Sequence, residues 1–194
     1  MMRRMLLWVA NQVSRATPVT RGFGLRRRLF RAAGVSIHPS AKICGGVVFD
    51  NPYARIGANT WVGGGCRLIG APGAAIQIAE NCDLGPEVLL VTGTHEIGPA
   101  ERRAGRGRCE SIVIGAGVWV GARATLLAGV TVGRGSVIGA GSLVNSDVEP
   151  DSLAVGVPAR SLPSLLVDGT SPESVAANLR RIDSSAQRGR VRPC

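Results

Sequence analysis

The chain holds two histidines among its 194 residues, and one of them, His95, lies in GTHEIGPAERRAGRGRCE, residues 93–110. An imidazole titrates near neutrality, so it can take a proton from a hydroxyl or another nucleophile as that group reacts. Such a base works best when a carboxylate or carbonyl fixes its tautomer and supports the imidazolium. The segment's acids are Glu96, Glu101 and Glu110; spacing does not choose among them, and Glu96 and Glu110 are carried forward as orienting candidates. Arg102, Arg103, Arg106 and Arg108 form either a solvated face or a contact for an acidic group, because guanidinium forks match phosphate and carboxylate oxygens. The second histidine, His38 in IHPSAKI, reads as a turn residue.

The five cysteines (Cys44, Cys66, Cys82, Cys109, Cys194) are odd in number and form no CxxC pair. They fit neither a disulfide framework nor a zinc site, and read as buried or incidental thiols with no metal expected.

What must position His95 is an internal repeat. From Ile114 an aliphatic residue returns at every sixth place: Ile114, Val120, Leu126, Val132, Ile138, Val144. A small residue often follows (Gly115, Gly121, Gly133, Gly139), and four places on stands another small or branched one, Val118 through Val148. The same pattern runs upstream through Ile37 and Ile43, then Ile56, Val62 and Leu68, then Ile78, Leu84 and Leu90. Its phase slips at Asn51-Pro52 and at Ala71-Pro72-Gly73, both turn chemistry. Neither a helix nor an ordinary strand repeats at six. Short strands that each send one aliphatic side chain inward, with a tight corner after each, do so, and three of them close one turn of a triangular solenoid. A narrow prism has no room for large aromatics, which matches their 4% share. Residues 93–110 break the aliphatic rule and read as a loop thrown off the column.

The net charge of +10 sits at the ends. Residues 1–34 carry eight arginines and no acid, and residues 35–170 are nearly neutral. That argues against a basic nucleic-acid-binding face on the body. Residues 1–35 read as a basic helical segment with Leu25, Leu29 and Phe30 along one side of a short helix. The helix either caps the open first coil or makes a peripheral contact with an anionic membrane surface. Residues 36–162 form the prism, 163–183 a C-terminal helix and 184–194 a disordered tail. The apolar run Met5–Ala10 is too short for a signal sequence or a span, so the chain is expected in the cytoplasm.

The units IGAGVW-VGARAT-LLAGVT-VGRGSV-IGAGSL resemble the hexapeptide-repeat acyltransferases, and VWVGARATLLAGVTVGRGSVIGAGSLV…VGVPAR is most similar to the branch of maltose, galactoside, nodulation-factor, colanic-acid and capsule O-acetyltransferases. The resemblance covers roughly residues 36–162. It implies an all-β, left-handed parallel β-helix with short helical segments at the two ends. It also implies a homotrimer with active sites between subunits, and acetyl-CoA as cosubstrate. VTGTHEIG matches the family's catalytic-histidine segment, which makes His95 the general base. By the same match Trp119 flanks the site, the Ala122 amide meets the thioester oxygen, and Ala140 lies against the pantetheine arm. Asn145 and Ser146 stand where the family has Thr-Lys, so the phosphate-side lysine is absent, while Arg160 keeps the family's basic residue. GGGCRL replaces the acceptor-side asparagine coil, and the acidic N-terminal cap of the maltose and galactoside enzymes is missing. Val118, Trp119, Leu127 and Val137 are expected at the subunit interface.

The function implied is acetyl transfer from acetyl-CoA to a hydroxyl of a saccharide or secondary metabolite. The alternatives are N-acetylation of an amino sugar or amine at the same site, or a scaffold without catalysis. The metal-dependent carbonic anhydrase on the same prism is excluded, since it needs three imidazoles.

Overall fold

The computed structural model describes residues 2–162. From Ser36 the chain winds through three walls of short parallel strands. The first wall stacks Ser36–Ile37, Ala54–Ile56, Ile76–Ile78, Ile112–Ile114 and Thr131–Val132. The second stacks Lys42–Ile43, Trp61–Val62, Asp83–Leu84, Trp119–Val120, Val137–Ile138 and Leu153–Gly156, closed by the antiparallel Ala159–Leu162. The third stacks Val48–Phe49, Arg67–Ile69, Leu89–Val91, Thr125–Leu126 and Leu143–Val144. The expected helix over 163–183 and tail over 184–194 lie outside the described residues.

Ladder register turns the six-residue period into columns. Ile37, Ile56, Ile78, Ile114 and Val132 align inside the first wall. Ile43, Val62, Leu84, Val120, Ile138 and Ala154 align inside the second, and Phe49, Leu68, Leu90, Leu126 and Val144 inside the third. None is more than 4% exposed, and each large aliphatic contributes about 1.5–3 kcal/mol of burial. The corners are filled by the second set of the repeat, Val118, Ala124, Val130, Ser136 and Ser142, all buried. Val118 is therefore core, not interface. Polar corner residues satisfy themselves on the next coil: Cys66 Sγ donates to Gly85 O at 3.1 Å and Cys82 Sγ to Gly115 O at 3.1 Å. Burial pushes the Cys66 thiol up to about 12 and raises those of Cys82 and Cys44, in the last case partly offset by the Arg26 charge.

Where the chain leaves the six-residue step, it does so at one corner, between the third wall and the first. Phe49 to Ile56 takes seven residues, Leu68 to Ile78 ten and Leu90 to Ile114 twenty-four. The last such corner is short instead, since Val148, four residues after Val144, already bridges Val132. The other two corners keep the step throughout the described residues. One edge of the prism thus carries all the insertions.

Two helices cover the open edge of the first coil: α1 (Met2–Ala16) and α2 (Phe23–Ala32). The basic helical segment expected over residues 1–35 is thus two helices, of which α1 lies ahead of the short helix expected around Leu25, Leu29 and Phe30. The helix α1 buries Leu7, Ala10 and Ser14, at helical spacing, against the coil. Ser14 Oγ donates to Val47 O at 2.7 Å, and Asn11 bonds both the N–H and the C=O of Phe49. In α2 the inward residues are Phe30, edge-on to Phe49 with ring centroids 4.7 Å apart, and Arg26; Leu25 faces outward, against expectation. Arg26 is fully buried, with no carboxylate partner among the described residues. Its guanidinium donates to Ile43 O (2.8 Å), Thr17 Oγ1 (2.7 Å), Pro18 O (3.2 Å) and Val19 O (3.4 Å), clamping the 17–19 turn to the first coil. Desolvation lowers its pKa below the ordinary arginine value. No described helix is long and apolar enough to cross a membrane.

Candidate active site

The excursion is not a loop but a β-hairpin. Gly93–Ile97 pairs antiparallel with Ala104–Cys109 and, among the described residues, with no other strand. His95 faces Gly107 across the ladder, and a Cβ at Gly107 would lie 3.9 Å from the imidazole Nε2, so glycine leaves the ring's flank open. Arg103 Nη1 donates to Gly98 O at 3.3 Å across the turn.

Strand alternation sorts the hairpin into two faces. Gly93, His95, Gly107 and Cys109 share one and Thr94 and Arg108 the other; the register shift between His95 and Ile97 puts its extra residue on the second strand, so alternation along each chain carries Glu96 and Glu110 to the Thr94 face. Contacts at the base show where each face looks. Cys109 Sγ reaches Pro72 O at 3.5 Å, toward the N-terminal coils. Glu110 lies over the C-terminal side, where a Cβ on Gly129 would approach its Oε2 to 2.5 Å, and it pairs with Arg108 at 3.4 Å. Both orienting candidates, Glu96 and Glu110, thus stand on the face opposite His95. Among the described residues, no side chain hydrogen-bonds the imidazole, which is exposed. His38 is on a different corner, its Nδ1 accepting the Ser40 amide at 3.2 Å, and takes no part.

A second set of groups lines the corner between the second and third walls. Register stacks Gly85-Pro86, Gly121-Ala122 and Gly139-Ala140 there. The neighbouring amides are used: Gly121 N–H bonds Ile138 O at 2.7 Å and Arg123 N–H bonds Pro86 O at 2.9 Å. The Ala122 and Ala140 amides donate to no backbone carbonyl among the described residues. Two amides left open, one above the other, make a donor edge for a developing oxyanion and an extended polar chain. Trp119, 57% exposed, stands on the second wall beside this edge. Arg160 pairs with Val155, whose side chain covers Gly139, and its Nη1 donates to Ala159 O at 3.1 Å. Asn145 and Ser146 are not on this edge: they sit at the corner that carries the hairpin.

His95 and the Ala122 amide are therefore parted by the width of the third wall, up to ~20 Å for six residues at ~3.3 Å each. The hairpin does not fold back to close that gap; its strand residues are exposed or half-exposed, with Ile97 at its end 89% exposed. One chain does not bring His95 and the Ala122 amide together.

The hairpin's corner also holds a cleft of about 580 Å³, lined by Arg3, Arg4, Trp8 and Asn11 of α1 and by Asp50–Tyr53 and Pro72 of the inserted corner segments. It lies on the side toward which the His95 face looks, since Cys109 and Pro72 touch. The sequence reading missed this cleft. Its signals were the helical spacing of Leu7, Ala10 and Ser14 and the clustering of phase slips at Asn51 and Pro72.

A prism of this kind, with a histidine hairpin on one edge and open amides on another, defines a class. The family model for bacterial transferase hexapeptide (six repeats) matches residues 111–146. A hexapeptide-repeat-containing acetyltransferase of Vibrio cholerae superposes with a TM-score of 0.67 at 31% identity, covering 86% of this chain and 94% of that one. A galactoside acetyltransferase in complex with coenzyme A gives 0.70 at 25% identity, over 84% and 79%. Nodulation protein L of Rhizobium meliloti is 38% identical over 105 residues, 54% of this chain and 56% of that protein. The matches span about half the length of the curated relatives. The chain belongs to the hexapeptide-repeat acetyltransferases, and its fold is their left-handed parallel β-helix.

Proposed function

We propose that the protein transfers an acetyl group from acetyl-CoA to a hydroxyl of a saccharide acceptor, at sites shared between subunits of a homotrimer. The observation that carries this reading is the split of the reaction groups: a base on one edge of the prism, open donors on another. Packing a second copy against the third wall unites the two edges. Structures of the Vibrio cholerae protein with acetyl coenzyme A and of the galactoside enzyme with coenzyme A support the choice of donor.

In this reading the thioester oxygen meets the Ala122 N–H, the pantetheine arm runs past Ala140, and Arg160 meets a phosphate in place of the absent family lysine. Trp119 walls the site. Asn145 and Ser146, on the hairpin's edge, come to the donor from the partner subunit. His95 takes the proton of the acceptor hydroxyl as its oxygen bonds to the acyl carbon. The C–S bond then breaks and the imidazolium returns the proton to the leaving thiolate. With Glu96 and Glu110 on the far face, the imidazole's orienting acceptor comes from the partner subunit or a carbonyl. The acceptor occupies the cleft beneath the His95 face, its ring against Trp8 or Tyr53 and an anionic group near Arg3 and Arg4. A CoA thioester as donor places the reaction in the cytoplasm.

His95→Ala is expected to retain the oligomer and lose acetyl transfer by ~10²–10⁴-fold, measured as CoA release across a panel of sugars, sugar phosphates, acidic sugars and amino sugars. Turnover within threefold of wild type, about 0.6 kcal/mol, removes the base assignment. Replacing Arg3 and Arg4 together by alanine is expected to raise the acceptor KM ~tenfold or more and leave the KM for acetyl-CoA unchanged. Equal acceptor KM values would move the acceptor elsewhere.

A further inference from the structure

The outer side of α1 does not match the surface of an ordinary capping helix. Its inner stripe is satisfied by the first coil, yet Met2 is 71% exposed, Met5 62%, Trp8 62% and Val9 38%. Met2, Met5 and Val9 repeat at helical spacing, so they form one outward stripe with Trp8 at its border. A helix that is apolar on two opposite sides is normally covered on both. Arg15 is exposed near the end of α1, and Arg21, Arg28 and Arg31 are exposed on or just before α2. No acid precedes Asp50, so residues 1–49 carry eight arginines and Lys42 against nothing.

Position matters as much as composition. Because α1 and α2 cover the first coil's edge, this face forms the blunt end of the prism and not one of its walls. A trimer that packs wall against wall leaves the end free and presents three copies of it in one plane. A second copy of the same end would bring like charges together. An anionic bilayer offers what this face lacks, apolar depth for the stripe and negative charge for the arginines around it.

We propose that the N-terminal end of the prism docks on an anionic lipid surface. Met2, Met5 and Val9 enter the headgroup region, and the surrounding arginines neutralise the lipid charge. The free end rests on the trimer of the proposed function, whereas the surface chemistry does not depend on the acetyl-transfer step.

The test is co-sedimentation of the full chain with phosphatidylcholine vesicles containing about 30% phosphatidylglycerol, against phosphatidylcholine alone, at low and high salt. The doubly substituted Met5→Glu/Val9→Glu chain, changed at exposed positions outside the cleft, is run beside the wild type. Wild type is expected to bind the anionic vesicles at least ~tenfold more tightly than neutral ones, with the preference shrinking as salt rises. The double variant is expected to lose ~tenfold or more in vesicle affinity with unchanged melting temperature and oligomeric mass. Absent or charge-independent vesicle binding overturns the proposal. So does a variant that changes oligomeric mass, which makes the stripe a subunit contact, or one that melts several degrees lower, which makes it an intramolecular one.

Discussion

Gly121→Ala joins fold and site in one residue. Gly121 turns the corner just before Ala122. A Cβ there would come within 2.5 Å of Ala140 N, 2.8 Å of Ala140 Cα and 2.9 Å of Gly139 C, all backbone of the next coil. The closest approach is about 0.9 Å inside the 3.4 Å at which ordinary contact begins. No side chain can swing away, so the coils must part at the edge that carries the two open amides. Overpacking of this kind costs about 1–3 kcal/mol, and near 2–4 °C per kcal/mol the melting temperature should fall by roughly 2–12 °C. A ~1 Å displacement of a reacting group costs ~10²-fold in turnover, so activity should fall further than stability. Gly141→Ala is the control. Gly141 has φ 70 but no atom within 4 Å of its would-be Cβ, and the same corner place is held by Glu87 at φ 60 and Arg123 at φ 61. It should cost about 1 kcal/mol and spare turnover. Thermal melting and acetyl-CoA turnover decide the matter: a Gly121→Ala chain that melts and turns over like wild type refutes the close-approach argument.

Two further outcomes concern the scaffold. Arg26→Met strands the carbonyls of Ile43, Pro18 and Val19 in a buried place, and should destabilise the chain by about 3–5 kcal/mol in urea titration; a loss under ~1 kcal/mol would mean the clamp is dispensable. Cys66 is held neutral by burial, with its pKa raised from 9.0 to about 12. The unfolded chain therefore releases that proton first. Stability is intact below pH 9 and falls by ~1 kcal/mol per pH unit as pH climbs toward 12. Cys66→Ala should flatten that decline in alkaline melts, and an unchanged slope would locate the alkaline sensitivity in other groups.

Much of the prism is legible in the sequence because one side chain per strand faces inward and register stacks them; Ile114 to Val144 name the columns directly. The hairpin's place is legible for the same reason, as an interruption of the columns between Leu90 and Ile114. Its form is not, since AGRGRC has too little β-branched or aromatic character to announce a strand, and pairing with Gly93–Ile97 depends on the turn between them. Without that pairing Glu96 and Glu110 look equivalent to His95's other neighbours, and only alternation removes them to the opposite face. Val118 misleads because the repeat has two inward positions, and the corner one looks like an outward aliphatic. Leu25 and Arg26 exchange roles because hydropathy ranks a leucine inside, whereas the 17–19 turn offers carbonyls that only a long donor can satisfy. The cleft escapes notice because its residues, Arg3 to Tyr53, come from segments about fifty positions apart.

The central claim is that the imidazole of one chain serves the open amide of another, and mixing two inactive chains tests it. Ala122→Pro removes the N–H donor at a corner that already holds a proline one coil earlier, Pro86, so the fold should survive. Alone it is expected to lose ~10²–10³-fold in turnover, and His95→Ala alone is likewise inactive. Unfolded and refolded together in equal amounts, the two chains should regain about one quarter of wild-type activity, the share of interfaces that pair an intact His95 with an intact Ala122 from a neighbour. Mixed trimers of full mass with no recovered activity would contradict the account, because each chain would then hold both halves of its own site.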